Sequence, residues 1–170
     1  MTQPVSASVA KVAMRRELRR VRREVAADPS SSALVRDRLS EVGRLARARV
    51  VLSFVAVPGE PDLAEVHDRL RARGVEVVLP DPAPTADFPD DVGSIDVVIV
   101  PGVAFTIRGD RLGQGGGWFD RLLARVRPDC LVVGVCFDAQ IVPDLPVEPH
   151  DVRVHVLVTE STVLDCHPTP

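Results

Sequence analysis

The sequence predicts an α/β protein, a three-layer sandwich whose mostly parallel central sheet is covered by helices on both faces. Two patterns predict it. Apolar runs such as Ile95-Asp96-Val97-Val98-Ile99-Val100 and residues 130–136 are nearly continuous, as strands buried on both faces are. The segments between them carry apolar residues at helical spacing, and this alternation is the mark of parallel strands joined by helices. With 170 residues, 45% of them hydrophobic, and no repeat or long linker, the chain is expected to form one domain over 1–170. Residues 1–8 are expected to be flexible and 161–170 to form a C-terminal tail.

The elements follow in order. Ser8 is placed to cap a first helix running to about residue 27, with Met14, Leu18, Val21 and Val25 on one side; Asp28-Pro29 ends it. A second helix, about 31–47, turns Val35, Leu39, Val42 and Ala46 to one side. Residues 49–57 read as a buried strand stopped by Pro58-Gly59. The pattern Leu63, Val66, Leu70 predicts a helix over 62–73 with Gly74 as its stop, and 75–79 is the second strand. Residues 80–93 hold four prolines and read as a loop. The third strand is 95–100, a helix follows over 118–126, the fourth strand is 130–136, and a proline-rich crossing leads to a last strand at 152–158.

Composition narrows the functional classes. No apolar run reaches membrane-spanning length and no secretory signal is visible, so a cytoplasmic protein without membrane partners is expected. Cys130, Cys136 and Cys166 are odd in number and lack metal-ligand spacing, which suits reduced, buried thiols. Net charge is only −3, yet residues 11–23 hold seven basic side chains against Glu17, a local charge of +6, so the remainder carries −9. These arginines lack interleaved aromatics and any known docking motif, which argues against nucleic acid as a partner. Lys11 and Arg15, one helical turn apart, can point at one anion. Arg16 to Arg23 read as a solvated or glutamate-attracting rim.

The most informative stretch is Gly109-Asp110-Arg111-Leu112-Gly113-Gln114-Gly115-Gly116-Gly117-Trp118-Phe119-Asp120-Arg121. Four of the eleven glycines fall between 113 and 117, after a strand and before a helix. Such a loop presents backbone N–H groups to an anion, and Arg111, Arg121 and Asp120 add cationic forks and a hard oxygen ligand suited to a nucleotide with Mg²⁺. A glycine-rich surface turn is the competing reading. No Lys-Ser or Lys-Thr closes the loop, so it is not a P-loop. In a parallel sheet, Glu60, 101–117 and the stretch after Phe137 all leave strands at the carboxyl edge, where ligands gather. Glu60 reads either as a solvated carboxylate or as an acceptor for substrate N–H groups.

Arg-Leu-Gly-x-Gly-Gly-Gly-aromatic-aromatic-Asp-Arg resembles the signature of the 5-formyltetrahydrofolate cyclo-ligase family. Val100-Pro101-Gly102-Val103-Ala104-Phe105, Leu145-Pro146-Val147-Glu148-Pro149-His150-Asp151-Val152, Val158-Thr159-Glu160 and Lys11-x-x-Met14-Arg15 extend the resemblance over most of 9–160. It implies ATP-dependent cyclisation of 5-formyltetrahydrofolate to 5,10-methenyltetrahydrofolate, with ADP and phosphate released. It implies ATP contacts from Lys11, Arg15, Arg111, Leu112, Gly113, Gln114, Gly115, Gly116, Gly117, Trp118 and Phe119. Folate contacts fall on Val55, Glu60, Gln114 and Trp118, whose ring would offer a stacking surface, and Mg²⁺ on Asp120.

This chain departs from the family in three places. His155 stands where the family has a second metal-linked aspartate, and imidazole suits Mg²⁺ poorly, so His155 is only a second candidate ligand. Gln114, Trp118 and Phe119 stand where the family often has Tyr, and the 80–93 loop is shorter. A nucleotide-binding or regulatory module that has lost ligase activity is therefore the alternative. His150 reads as a structural, hydrogen-bonding histidine. The protein is expected to act as a monomer or weak dimer.

Overall fold

Six strands form the main sheet of the computed structural model, which describes residues 7–26, 28–80, 87–149 and 151–166. The chain runs α1 (Ala7–Ala26), α2 (Pro29–Leu39), β1 (Val50–Leu52), α3 (Ala64–Ala72), β2 (Glu76–Val78) and β3 (Val97–Pro101). It continues through a small hairpin of β4 (Ala104–Phe105) and β5 (Arg111–Leu112), then α4 (Trp118–Leu123), β6 (Leu131–Val135), β7 (Val156–Val158) and β8 (Val163–Asp165). The sheet order is β2-β1-β3-β6-β7-β8, parallel throughout except for the antiparallel β7–β8 edge.

β1 connects through α3 to β2 on one side of itself, and β3 connects through α4 to β6 in the opposite direction. Right-handed crossovers taken in opposite directions place α3 and α4 on opposite faces, which makes the three layers. β3 and β6 are buried at every position. Each apolar side chain so removed from water contributes about 1.5–3 kcal/mol. At the amino edge, the Asp96 carboxylate accepts from Arg127 Nη2 at 2.6 Å and from the backbone N–H of Arg49 and Val50 at 2.7 and 3.2 Å. The Arg127 bond, then the backbone donors, pull its pKa down to about 2.

Several predicted elements are shorter than their apolar pattern. The second helix begins at Pro29, where Asp28 accepts from Ser30 N–H at 2.9 Å, and ends at Leu39 rather than 47. A 3-10 turn at Leu45–Arg47 still buries Leu45, so the helical spacing of 42–46 reflects burial in a turn. The strand expected over 49–57 pairs only at Val50–Leu52, and that over 152–158 only at Val156–Val158.

Two elements were absent from the prediction. The hairpin folds within the glycine-rich stretch, its turn closed by Thr106 N–H donating to Asp110 O at 3.0 Å and Thr106 Oγ1 donating to Asp110 Oδ2 at 2.9 Å. β8 lies in the segment expected to be a tail. Thr159 Oγ1 accepts from Ser161 and Thr162 N–H at 3.2 and 3.1 Å, and this turn brings Val163–Asp165 back against β7.

Candidate active site

The direction of the crossovers reverses between β1 and β3, and a crevice opens beyond the carboxyl ends of strands at such a point. The loops after β1 and β3 meet there, bridged by α1. Arg22 Nη1 donates to Glu60 Oε1 and to Gly102 O, each at 3.3 Å. The side chains of Arg22 and Glu60 are both only 4% exposed. Gln114 of the glycine loop donates its Nε2–H to the same Glu60 oxygen at 2.9 Å, and Val57 N–H reaches Oε2 at 3.2 Å. Glu60 is thus a buried, shared acceptor, not a solvated loop carboxylate.

α1 also fastens the glycine loop by its carbonyls. Arg15 Nε donates to Gly113 O at 2.9 Å, and Arg19 Nη2 to Gln114 O at 2.8 Å; from the far side Arg121 Nη1 reaches Gly116 O at 3.0 Å. In a trans peptide the N–H points opposite to the carbonyl, so the amides of Gln114, Gly115 and Gly117 face away from these arginines. The loop needs its glycines. A Cβ on Gly113 would stand 2.8 Å from Arg111 Nη1, and Gly115 has φ +111°, a conformation side chains rarely adopt.

Beside the loop lies a cavity of about 140 Å³ lined by Lys11, Arg15, Arg111, Asp120, Glu148 and Asp151 together with loop backbone. Lys11 Nζ contacts Glu148 Oε2 at 2.6 Å and Asp151 Oδ2 at 2.8 Å. Burial disfavours the ammonium, but hydrogen bonds to Asp151 and Glu148 outweigh it and raise the Lys11 pKa. Burial lowers that of Arg15. Arg111 is ion-paired to Asp120, and its Nε is buried with no hydrogen-bond partner among the described residues.

The site therefore gathers Lys11, Arg15, Arg111, Leu112, Gly113, Gly115, Gly117 and Asp120 around one cavity, with Gln114 reaching toward Glu60. Other sequence expectations change. The Trp118 ring is not an open stacking surface: the residue is 2% exposed, with its centroid 5.5 Å from Phe88 and 5.1 Å from Phe119. Phe119 is buried in the same core. Val55 does stand exposed at the rim of a separate apolar cleft. Arg19 and Arg22 are not a solvated rim, since both bond the loops of the site. The signal was present: Lys11, Arg15, Leu18 and Arg22 share one helical face.

His155 is not at this cavity. It precedes β7, beside the first residues of β6, and its Nδ1 accepts from Val132 N–H at 2.9 Å. That is the amino edge, the opposite end of the sheet from the glycine loop. Asp151 is the carboxylate this segment brings to the cavity, a role the sequence reading missed by following the aligned position instead of the fold. His150 lies outside the described residues. Burial and then Arg44 lower the His155 pKa, so its protonation costs stability as pH falls below the ordinary value of 6.5, and the loss deepens towards the lowered folded pKa. His155→Asp is expected to leave the melting temperature nearly unchanged, because the exposed carboxylate can still accept from Val132 N–H and lies near Arg44. It should leave any Mg²⁺ requirement unchanged, and an altered Mg²⁺ titration in the mutant would contradict this placement.

Comparisons with known proteins identify the family and the fold. The family model described as the 5-formyltetrahydrofolate cyclo-ligase family matches residues 7–92 and 86–160. A 5-formyltetrahydrofolate cyclo-ligase of Mycolicibacterium smegmatis is 28% identical over 148 residues, 68% of this chain and 76% of that protein. The Escherichia coli K12 enzyme of the same name is 43% identical over 74 residues, which cover 41% of this chain and only 38% of that protein. The solved Aquifex aeolicus 5,10-methenyltetrahydrofolate synthetase superposes with a TM-score of 0.79 at 26% identity, covering 94% of each chain. A Mycoplasma pneumoniae synthetase, at 17% identity and TM-score 0.71, shares the fold. The match over nearly the whole described chain shows that this protein belongs to the 5-formyltetrahydrofolate cyclo-ligase family.

Proposed function

We propose that this ligase cyclises 5-formyltetrahydrofolate to 5,10-methenyltetrahydrofolate with ATP, at the crevice between β1, β3 and the glycine loop. The observation that carries the reading is the convergence on that crevice of a glycine cradle, three cations and the buried Glu60 acceptor. The formyl oxygen attacks the γ-phosphorus and ADP leaves. N10 then attacks the activated formyl carbon, the C–O bond breaks to release phosphate, and N10 gives up its proton. The protein aligns these groups and neutralises phosphoryl charge. Loop amides, Arg15 and Arg111 line the cavity and would serve that role. Lys11 acts chiefly by holding Glu148 and Asp151.

Mg²⁺ fits the residues present. Asp120 and Asp151 line the cavity, and no cluster of three ligating side chains exists among the described residues. That suits an ion bound through one or two carboxylates and the phosphates themselves. When bound it would neutralise charge on the phosphates. The ring-forming substrate would place its paired N–H donors on Glu60 and extend toward the separate cleft that Val55 lines. The non-catalytic alternative loses one of its supports, because His155 lies away from the cavity.

No helix among the described residues is long and apolar enough to cross a membrane. A cytoplasmic monomer or weak dimer acting on small molecules is part of the same proposal. The direct test is absorbance of methenyltetrahydrofolate formed from purified protein, ATP, Mg²⁺ and 5-formyltetrahydrofolate; no product over a range of Mg²⁺ would overturn the reading. Gly115→Val is expected to remove ATP binding while leaving the chain folded, since a β-branched residue is strained at φ +111° and its bulk faces Arg15. Wild-type ATP affinity by calorimetry in the folded mutant would argue against the cradle.

A further inference from the structure

We infer that Gln114 is a displaceable cover on Glu60, so that its side-chain amide and the substrate's N–H donors compete for one carboxylate. This rests on the folate reading above and adds to it a residue that sets substrate affinity. Glu60 is 8% exposed, and the exposed Gln114 lies against it on the loop side. The orientation of the Gln114 amide is determined. Its Oε1 accepts from Arg19 Nε at 3.3 Å, a group that can only donate, and its Nε2 donates at 2.9 Å to a carboxylate. The amide therefore presents to Glu60 the same kind of donor that an amino-pterin edge would present.

The acceptor cannot serve both fully. Glu60 Oε1 already takes Arg22 Nη1 and the Gln114 amide, while Oε2 takes Val57 N–H. A ligand with two adjacent N–H donors needs both oxygens on one open side, and Gln114 occupies part of that side. Arg22 and Val57 come from α1 and from the β1 loop and can stay in place. Gln114 can leave. Its backbone carbonyl is fixed separately by Arg19 Nη2 at 2.8 Å, and Gly113 O by Arg15 at 2.9 Å, so the side chain can swing without moving the loop.

The test is calorimetric titration of 5-formyltetrahydrofolate, without ATP, into wild type, Gln114→Ala, Glu60→Ala and the double mutant. Removing a competitor that makes one hydrogen bond to a charged acceptor should lower the Kd of Gln114→Ala about three- to tenfold. Glu60→Ala should bind weakly, and adding Gln114→Ala to it should bring no gain, because the competition is for Glu60 alone. Unchanged or weaker binding in Gln114→Ala, with wild type binding normally, would overturn the inference and make Gln114 a direct substrate contact or a bystander. A gain that persists without Glu60 would overturn it too. Failure of every protein to bind, wild type included, would instead overturn the folate reading on which the inference stands.

Discussion

Arg22→Met is expected to lower the unfolding free energy by about 3 kcal/mol, because breaking a buried ion pair leaves the other charge without its counter-ion. Arg22 and Glu60 are each 4% exposed at the side chain, so water cannot replace the lost partner without opening the crevice. Glu60 keeps Gln114 and Val57 N–H, which holds the effect near the lower end of the usual range. Met fills most of the volume, so the loss reports the charge and the Gly102 bond more than a cavity. For a chain of this size the melting temperature should fall by about 6–12 °C. A change below about 2 °C in a thermal scan would mean that the arginine is more hydrated than its burial implies. Arg22→Lys should recover part of the loss, since it restores the charge on a shorter side chain.

Asp120→Asn is expected to reduce turnover on the order of 100-fold, the scale for losing one electrostatic group at a site where phosphoryl charge develops. Two effects combine. An amide brings no charge to a metal ion, and Arg111, whose side chain is 2% exposed, loses its carboxylate partner. The asparagine carbonyl can still accept from Arg111, so the fold should persist with reduced stability. Raising Mg²⁺ should recover part of the activity. Unchanged turnover across a Mg²⁺ titration would remove Asp120 from the metal site and leave it as the partner that orders Arg111.

The layer architecture and the order of the main elements were legible in the apolar pattern alone. Residues 95–100 and 130–136 announce central strands because burial on both faces demands continuous apolar side chains. The 113–117 glycines announce the loop because few other uses require so many in one place. Strand ends were less legible. Residues 53–57 and 152–155 carry strand-like residues, but whether they pair depends on neighbours distant in sequence, and near the site those neighbours are loops and arginines. β8 and the β4–β5 hairpin depend on turns closed by Thr159 and Thr106 hydroxyls, which a hydrophobicity pattern does not register.

Only the tertiary structure decided what each charge does. Helical spacing sets Lys11 and Arg15 apart from the other basic residues of α1, but not the partner each one takes. Packing α1 across the crevice gives Lys11 to Glu148 and Asp151, Arg15 and Arg19 to loop carbonyls, and Arg22 to Glu60. His155 and Asp151 are four positions apart, yet one faces the amino edge of the sheet and the other the cavity. The physical reason is that periodicity records which residues leave water, a property of each segment alone. Charge pairing records which segments meet, and the chain sets that only by folding.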